Sequence, residues 1–455
     1  MIERQFEVDF GTRLGKIKPV GTVGGPLYRY DLSLDVSEVY RDLRIPVVRV
    51  AEVGQPYGYE RIVDVHNLFP DFSLDERFPE SFNFAPTDRY LTAIKETGAQ
   101  IFLRLGESRD PYGMKKYINA PTDPDKYARI LERIIAHYNT GWGGGYKLGI
   151  KYVELWTSPD RADGFVGGGD DYVRLYSHLA NYLKEKHPRV KFGAYSSGGF
   201  FSLNHYGVAD EVRGYVGFLE YFLSKISKGE YKAPLDFFTW ELNIDAPETL
   251  ELYTRYASSY LMQYGFRKTE SIISRLSLEG DTPTLSRDYP SRLAATLCLG
   301  AKSDNSMLFY DSLDPDGKGN GIYSLDDRTT VHKYAAYEVM RAYGELYSLG
   351  SMSSTTDDFR REVYSLAASD GSTGALLLVT RDYSGLVTLT VKGGEFTSYS
   401  IVGVIGGGKR GEGHSNRQDD IPLIKNTIKL RVGKGEVYFL RFTRRQGENA
   451  PDNLS

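Results

Sequence analysis

The sequence predicts an α/β fold: a (β/α)8 TIM barrel followed by a C-terminal all-β sandwich domain. Eight short strand-like runs alternate with longer helical segments through the first 350 of the 455 residues. Several of these runs are almost continuously apolar, which is typical of parallel strands covered on both faces. Beyond residue 350 the chain changes to apolar and polar alternation broken by turn signals, as in an antiparallel sheet domain.

The barrel prediction depends on the order of strands and helices along the chain. The eight predicted strands occupy residues 17–23, 45–52, 99–107, 151–158, 190–197, 235–242, 271–278 and 306–312. Amphipathic segments with acidic or proline-containing starts, several of which end at glycine, are predicted as helices at residues 87–98, 123–141, 170–187, 246–265 and 332–350. Right-handed helical crossovers are the normal connection between parallel strands, so this alternation favours a barrel.

The change of pattern after residue 350 divides the chain. The predicted parts are residues 1–15 (a strand that joins the sandwich), 16–350 (the barrel), 351–445 (the β-sandwich) and 446–455 (a disordered tail). The glycine-rich and polar segment 406–420 is predicted to be a loop within the sandwich.

Composition excludes several classes of partner. The net charge is −4 with both signs interspersed, so no nucleic-acid partner is expected. No apolar run approaches the roughly 20 residues that a membrane-spanning helix needs. The charged N-terminus is unlike a signal peptide, and a cytoplasmic location is therefore expected. The abundance of Lys, Glu, Arg and Tyr favours a thermostable protein, and nothing in the sequence indicates an oligomeric state.

Neither a cofactor nor a metal is predicted. The single cysteine, Cys298, excludes a disulfide framework and lies in an apolar helical stretch. The glycine-rich segments lack the strand-turn-helix context and the Lys-Ser/Thr ending of a phosphate loop. No predicted strand end carries the His and Cys spacing of a zinc site.

The strand ends carry a resemblance to a known family. In barrels of this class the active site lies at the C-terminal ends of the strands. Stretches that lead to these ends include VDVHNLFPDFSLD, FAPTDRYLTAIKETGAQIFLRLGES, KYVELW and APLDFFTW. In this order they resemble glycoside hydrolase family 39, the β-xylosidase and α-L-iduronidase family. The resemblance implies a glycosidase scaffold with an accessory β-sandwich.

The departures from the family pattern lie at the same strand ends. After the fourth strand the family has Asn-Glu-Pro, where this chain has Thr157-Ser158-Pro159. After the seventh strand the family has Glu-Trp-Asn, where this chain has Arg275-Leu276-Ser277. A retaining glycosidase needs two carboxyl groups about 5–5.5 Å apart, one as acid/base and one as nucleophile. By this resemblance both catalytic Glu positions are substituted.

Two further strand ends differ. The second strand ends in Arg49-Val50-Ala51-Glu52 where the family has Arg-Thr-His-Asp, and the sixth in Trp240-Glu241-Leu242-Asn243 where the family has Trp-His-x-Tyr. Smaller or more apolar residues thus stand at three positions of an intact frame, with Ala51 for His, Val50 for Thr and Leu276 for Trp. We interpret this as a pocket remodelled, by evolution or by engineering, for another small molecule.

Two carboxylates are the candidate catalytic residues of this pocket. Glu241 or Glu52 would act as a general base if apolar neighbours raise its pKa. The alternative is structural, with Glu241 paired to Arg275 or Arg49 and Glu52 paired to Arg49. The predicted binding residues are Trp240 (as a stacking surface), Arg275 (as an anion anchor), Trp156, Ser158, Asn243, Ala51, Leu276, Tyr310 and Arg49. Glu107, Asp160 and Asp311 are interpreted as inherited scaffold residues.

Three functions follow as hypotheses, each with a small aromatic molecule or a sugar as the partner. The first is general-base chemistry on an aromatic molecule, such as a Kemp-type proton-abstraction elimination. The second is binding of a sugar or another small molecule without turnover. The third is a β-xylosidase-like glycosidase that uses displaced carboxylates, such as Glu52 with Glu241.

We predict that ordinary retaining β-glycosidase activity is absent, because Ser158 cannot protonate a glycosidic oxygen and Arg275 cannot act as a nucleophile. Assays on nitrophenyl β-xyloside and nitrophenyl β-glucoside measure this directly. Turnover at enzyme-like rates would contradict the prediction.

Overall fold

A computed structural model describes residues 3–28, 32–51, 61–110, 117–278, 287–311, 313, 321–326, 330–356, 358–405 and 414–444. In chain order the strands are β1 (Glu3–Lys16), β2 (Val20–Val23), β3 (Leu27–Tyr28), β4 (Leu34–Asp35), β5 (Val47–Val50), β6 (Gln100–Leu105), β7 (Tyr152–Leu155), β8 (Lys191–Ser197), β9 (Phe237–Ile244), β10 (Glu270–Leu278), β11 (Met307–Tyr310), β12 (Tyr323–Asp326), β13 (Thr330–Lys333), β14 (Ser351–Thr355), β15 (Val363–Ser369), β16 (Gly374–Thr380), β17 (Gly385–Lys392), β18 (Ser398–Ile405), β19 (His414–Pro422), β20 (Thr427–Val432) and β21 (Glu436–Thr443). The helices are α1 (Ser37–Asp42), α2 (Val65–Leu68), α3 (Ala85–Glu96), α4 (Pro124–Asn139), α5 (Gly168–Lys186), α6 (Asp210–Ile226), α7 (Glu248–Gln263), α8 (Tyr289–Lys302) and α9 (Ala335–Leu349).

Eight parallel strands close into a barrel in the order β10-β11-β2-β5-β6-β7-β8-β9. These are the eight strands that the sequence predicts, and the predicted TIM-barrel fold is confirmed. The helices follow local signals. Asp123 caps α4 by accepting a hydrogen bond from the backbone N–H of Lys126. Acidic residues begin α5 and lysines end it, which complements the helix dipole. Within the described residues, no helix combines the length and apolarity needed to cross a bilayer.

The barrel interior is built in layers because every second strand residue points inward. The lowest layer is apolar, and Phe102 lies 5.1 Å from Phe237 and 5.2 Å from Phe309 between ring centroids. Above it lies a buried ion pair, in which Arg49 Nη2 is 2.5 Å from Glu154 Oε2. Thr239 donates a hydrogen bond to the other Glu154 oxygen. Charged groups at this depth must be paired, so this layer depends on all three side chains.

The second domain is one continuous nine-stranded sheet, in the order β19-β18-β21-β16-β15-β14-β1-β17-β20. The N-terminal strand β1 runs antiparallel to β14 and parallel to β17. The sheet is strongly curved. The rings of Phe10 in β1 and Phe442 in β21 lie 5.3 Å apart, although three strands separate β1 from β21 in the sheet. Its other face packs against α8 and α9 and belongs to the same core as the barrel. This confirms the predicted C-terminal β domain.

One predicted loop is partly wrong. Residues 414–422, which overlap the predicted polar loop 406–420, form the edge strand β19 and pair antiparallel with β18. The polar side chains misled the prediction, since an exposed edge strand needs no apolar alternation. Residues 406–413 and the predicted tail 446–455 lie outside the described residues. The exact domain boundaries stay a prediction.

The buried ion pair should dominate barrel stability. We expect Glu154→Gln to destabilise the fold by roughly 3 kcal/mol, because it leaves the Arg49 guanidinium buried without a counter-charge. Urea unfolding followed by intrinsic fluorescence measures the change. The matched control is Arg174→Gln, which removes an exposed pair with Asp171 and should cost much less than Glu154→Gln. Equal losses of unfolding free energy in the two variants would refute a dominant role of the Arg49–Glu154 pair in stability.

Candidate functional site at the barrel mouth

The open end of the barrel is centred on Arg275. Its Nε lies 3.9 Å from Glu241 Oε1, and its Nη1 lies 3.5 Å from Asp311 Oδ2. Ser277 donates a hydrogen bond to the same Asp311 oxygen at 3.1 Å. The three charged side chains are 27%, 21% and 22% exposed, so all three can meet a ligand. The arrangement presents one guanidinium flanked by two carboxylates.

A local irregularity of β10 makes this arrangement. Ile273 pairs with Trp240 of β9, yet Arg275 pairs with Glu241, so Ser274 is an extra residue in the β10 ladder. Such bulges re-aim side chains and are common beside active sites. Here the bulge places Arg275 opposite Glu241. The structural alternative of the sequence analysis, a pair between these two residues, is what the structure contains.

Ser158 is walled off from the mouth. Its hydroxyl is fully buried and donates to the carbonyl oxygen of Ser196 at 2.8 Å. Trp156 and Ser158 have φ values of +74° and +44°, and Ser196 has +56°. Non-glycine residues rarely adopt this left-handed backbone, and such strain concentrates at functional sites. The loop after β7 therefore has a strained backbone, but the Ser158 hydroxyl is buried and already donates its hydrogen bond, so it does not face a ligand at the mouth.

Asp160 is a buried acid next to this network. Its Oδ2 accepts hydrogen bonds from Ser197 Oγ and from the backbone N–H of Gly198, each at 2.9 Å. Its Oδ1 has no hydrogen-bond partner among the described residues. Burial raises the pKa of the Asp160 carboxyl from 3.8 to about 7, and the negative charge of Glu241 adds to the shift. Asp160 was interpreted from the sequence as an inherited scaffold residue, and its raised pKa was missed because burial and the nearby Glu241 create it only in the folded chain.

Several predicted binding residues face away from the mouth. Trp240 is fully buried, donates from Nε1 to Ser271 Oγ at 3.0 Å, and packs edge-on against Phe200. Leu276 is fully buried in the main core, and the hydroxyl of Tyr310 bonds that of Tyr289 in α8 at 2.7 Å. Alternation along the strands explains the correction: Thr239 and Glu241 point inward, so Trp240 between them points to the helices. Trp240 therefore offers no stacking surface at the mouth.

The remaining predicted residues have other placements. Arg49 lies inside the barrel in the ion pair with Glu154, and Ala51 is buried, with its carbonyl oxygen accepting a hydrogen bond from Arg104. Asn243 is exposed after the mouth residues of β9. Trp156 donates from Nε1 to the carbonyl oxygen of Gly164 at 2.9 Å and lines a separate cavity. Glu52 lies outside the described residues.

A second polar cluster was missed from the sequence. Asp64, His66 and Glu107 bring ligand-type atoms within 4.8 Å of one another. Both Asp64 oxygens already accept hydrogen bonds, from Arg104 and Ser108. The Arg104 guanidinium, 2.7 Å from Asp64, also disfavours a bound cation. His66 and Glu107 are 41 residues apart, and no spacing motif announces their contact.

The fold is similar to that of several solved glycoside hydrolases. Neither a family model nor a curated protein sequence matches the chain. The structure is similar to that of a glucosidase from Croceicoccus marinus, with 21% identity, a TM-score of 0.76, and coverage of 98% of this chain and 100% of that one. It is also similar to a family 39 enzyme from Xanthomonas axonopodis pv. citri (14% identity, TM-score 0.67, 97% of each chain). A family 39 β-xylosidase from Caulobacter crescentus is similar too (12% identity, TM-score 0.67, 97% of this chain and 100% of that one).

These structural neighbours are glycoside hydrolases built on a TIM barrel. At such identities the similarity establishes the shared fold, and a fold of this kind hosts many chemistries. Membership of family 39 and the substitution of its catalytic residues stay predictions from the sequence.

The buried Asp160 should make stability depend on pH. Between pH 4 and about 7 the unfolded chain has lost this proton while the folded protein keeps it, so stability falls as pH rises through that window and then levels off. Asp160→Asn removes this dependence. We expect the gain in melting temperature of Asp160→Asn over wild type to grow from pH 4.5 to pH 8. Asp210→Asn, at an exposed position, is the control for the loss of a carboxylate. If the melting temperatures of Asp160→Asn and the wild type changed in parallel with pH, the raised pKa of Asp160 would be ruled out.

Proposed function

We propose that the protein binds a carbohydrate at the barrel mouth and does not cleave it by the retaining mechanism. The observation that carries this proposal is the position of Arg275 between Glu241 and Asp311, all partly exposed at the C-terminal ends of three adjacent strands. Sugar hydroxyls both donate and accept hydrogen bonds. A guanidinium between two carboxylates supplies donors and acceptors side by side, which suits adjacent hydroxyls of one ring.

The structural neighbours support the carbohydrate as the ligand class. They are named as a glucosidase, a β-xylosidase and, from Thermotoga maritima, an α-L-arabinofuranosidase in complex with arabinose. The last is 12% identical, with a TM-score of 0.65, and covers 96% of this chain and 99% of its own. Ligand sites of such barrels lie at the strand ends where the Arg275 network lies.

The contacts weigh against turnover by the ordinary route. Retaining hydrolysis needs a proton donor and a nucleophilic carboxylate facing each other across the bond. Ser158, the residue at the expected donor position, is buried and bonded to a carbonyl oxygen. Arg275, at the expected nucleophile position, is a permanent cation.

General-base chemistry on an aromatic molecule has less support. Glu241 lies 3.9 Å from the Arg275 guanidinium rather than in the apolar surroundings that this hypothesis requires. Trp240, the predicted stacking surface, is in the core. A role of Glu52 stays untested because it lies outside the described residues.

A glycosidase with displaced carboxylates is the second candidate, and one observation favours it. Asp160, with a pKa of about 7, lies close enough to Glu241 for the two charges to interact. A carboxyl group with a raised pKa beside a second carboxyl group is the pattern of a general acid with its partner. In this scheme Asp160 donates the proton and Glu241 is the nucleophile or base.

Titration calorimetry with xylobiose and cellobiose tests the binding proposal. We expect binding by the wild-type protein and a loss of at least tenfold in affinity for Arg275→Gln, which keeps an amide donor but removes the charge. Arg174→Gln, an exposed arginine on α5, is the matched control and should bind like wild type. Undiminished sugar binding by Arg275→Gln would defeat the proposal. Hydrolysis that disappears in Glu241→Gln and Asp160→Asn would select the second candidate, and turnover of a nitrobenzisoxazole that needs Glu241 would select the general base.

A further inference from the structure

A separate cavity of about 360 Å³ opens at the C-terminal ends of β6 and β7, beside the first turn of α4. We call it the lateral cavity. The residues that matter for its chemistry are His66, Phe72, Glu107, Tyr117, Tyr127 and Trp156. Its volume falls in the range of small-molecule sites, which lie roughly between 300 and 1,000 Å³. It shares no lining residue with the Arg275 network.

The inner end of the lateral cavity is polar and buried. Glu107 Oε2 lies 2.5 Å from His66 Nδ1, and the backbone N–H of His66 donates to Glu107 Oε1 at 3.2 Å. Burial raises the pKa of Glu107, and the charge of His66 opposes that shift. The hydrogen-bonded Glu107–His66 pair offers a ligand both donor and acceptor atoms.

Tyr127 supplies the observation that points to a ligand. Its side chain is 2% exposed, and its hydroxyl has no hydrogen-bond partner among the described residues. Burial, then the charge of Glu107, raises its pKa, so the hydroxyl keeps its proton and is a donor. Leaving a buried hydroxyl unpaired costs about 1–3 kcal/mol. A ligand oxygen in the lateral cavity would satisfy it.

Aromatic rings form the walls and the entrance. Tyr117 stacks on His66 with ring centroids 3.8 Å apart, and Phe72 lies parallel to Tyr127 at 6.3 Å. Tyr117 and Phe72 are 45% and 41% exposed, although large apolar rings normally bury more of their surface. Trp156 lines the cavity from the end of β7. Flat rings of this kind fit the C–H face of a sugar ring.

We propose that the lateral cavity is a second carbohydrate-binding site, which takes one sugar ring between its aromatic walls and the Glu107–His66–Tyr127 group. A metal ion is disfavoured by the Arg104 guanidinium beside Asp64. A polyanion is not favoured, because Lys126 on the lining is balanced by Asp123. A neutral polyol with an apolar face fits the Tyr127 hydroxyl, the Glu107–His66 pair and the exposed rings together. The proposal does not depend on sugar binding at the mouth.

Saturation-transfer NMR and calorimetry with D-xylose and D-glucose test this second site. We expect two sites per wild-type chain, and an affinity loss of at least tenfold at one of them in Tyr127→Phe and in Glu107→Gln. Tyr117→Ala, at the exposed entrance, should give the same loss without touching the core. Tyr138→Phe is the matched control, a buried tyrosine on the same helix outside the cavity. Thermal unfolding checks that each variant folds.

The outcomes separate the two proposals. If Arg275→Gln alone removes sugar binding, the lateral site is overturned and the mouth site stands. If the lateral variants alone remove it, the mouth site falls and the lateral site stands. Unchanged sugar affinity in Tyr127→Phe, Glu107→Gln and Tyr117→Ala overturns the lateral site. Binding of benzoate or Zn²⁺, in place of sugar, that these variants abolish would overturn carbohydrate as its ligand.

Discussion

Closure of eight parallel strands forces every second side chain into a narrow interior, and this constraint orders the rest of the molecule. Phe102 and Phe237 fill the base, and the Arg49–Glu154 pair occupies the layer above. Only residues one layer higher reach the open end. Glu241 is such a residue, being two positions beyond the inward-facing Thr239. The interior is thus tightly packed, and its buried charges are paired. Ligands can reach only the residues at the open end of the barrel.

The character of the mouth is then decided by one bulge. The extra residue in β10 puts Arg275 opposite Glu241, and Asp311 joins from the next strand. A cation between two anions gives a surface that is polar but nearly compensated in charge. Such a surface fits the recognition of a polyol that we propose. The structural neighbours share the frame, and frame similarity leaves this local chemistry to the individual residues.

The mouth and the lateral cavity lie at the same end of the barrel but differ in the chemistry of their side chains. The mouth is open and ionic, whereas the cavity beside it is aromatic and ends in a hydrogen-bonded pair, Glu107 and His66. Both lie in segments that follow barrel strands, where backbone geometry is least regular, as the left-handed Trp156 and Ser158 show. Loops of different residue type on one rigid scaffold would account for the two binding sites that we propose.

The sequence by itself determined the eight barrel strands, most of the helices and the β domain, because period-2 and period-3.6 patterns and capping residues are local signals. It also indicated that Glu241 and Arg275 belong at the strand ends. Only the tertiary structure decided which face each side chain takes. Trp240 lies next to Glu241 near the mouth end of β9, but its side chain points into the core. Likewise, the contact between His66 and Glu107 and the burial that shifts Asp160 depend on segments distant in sequence. Pairing, burial and register arise from the packed chain as a whole, so no local pattern in the sequence could have contained them.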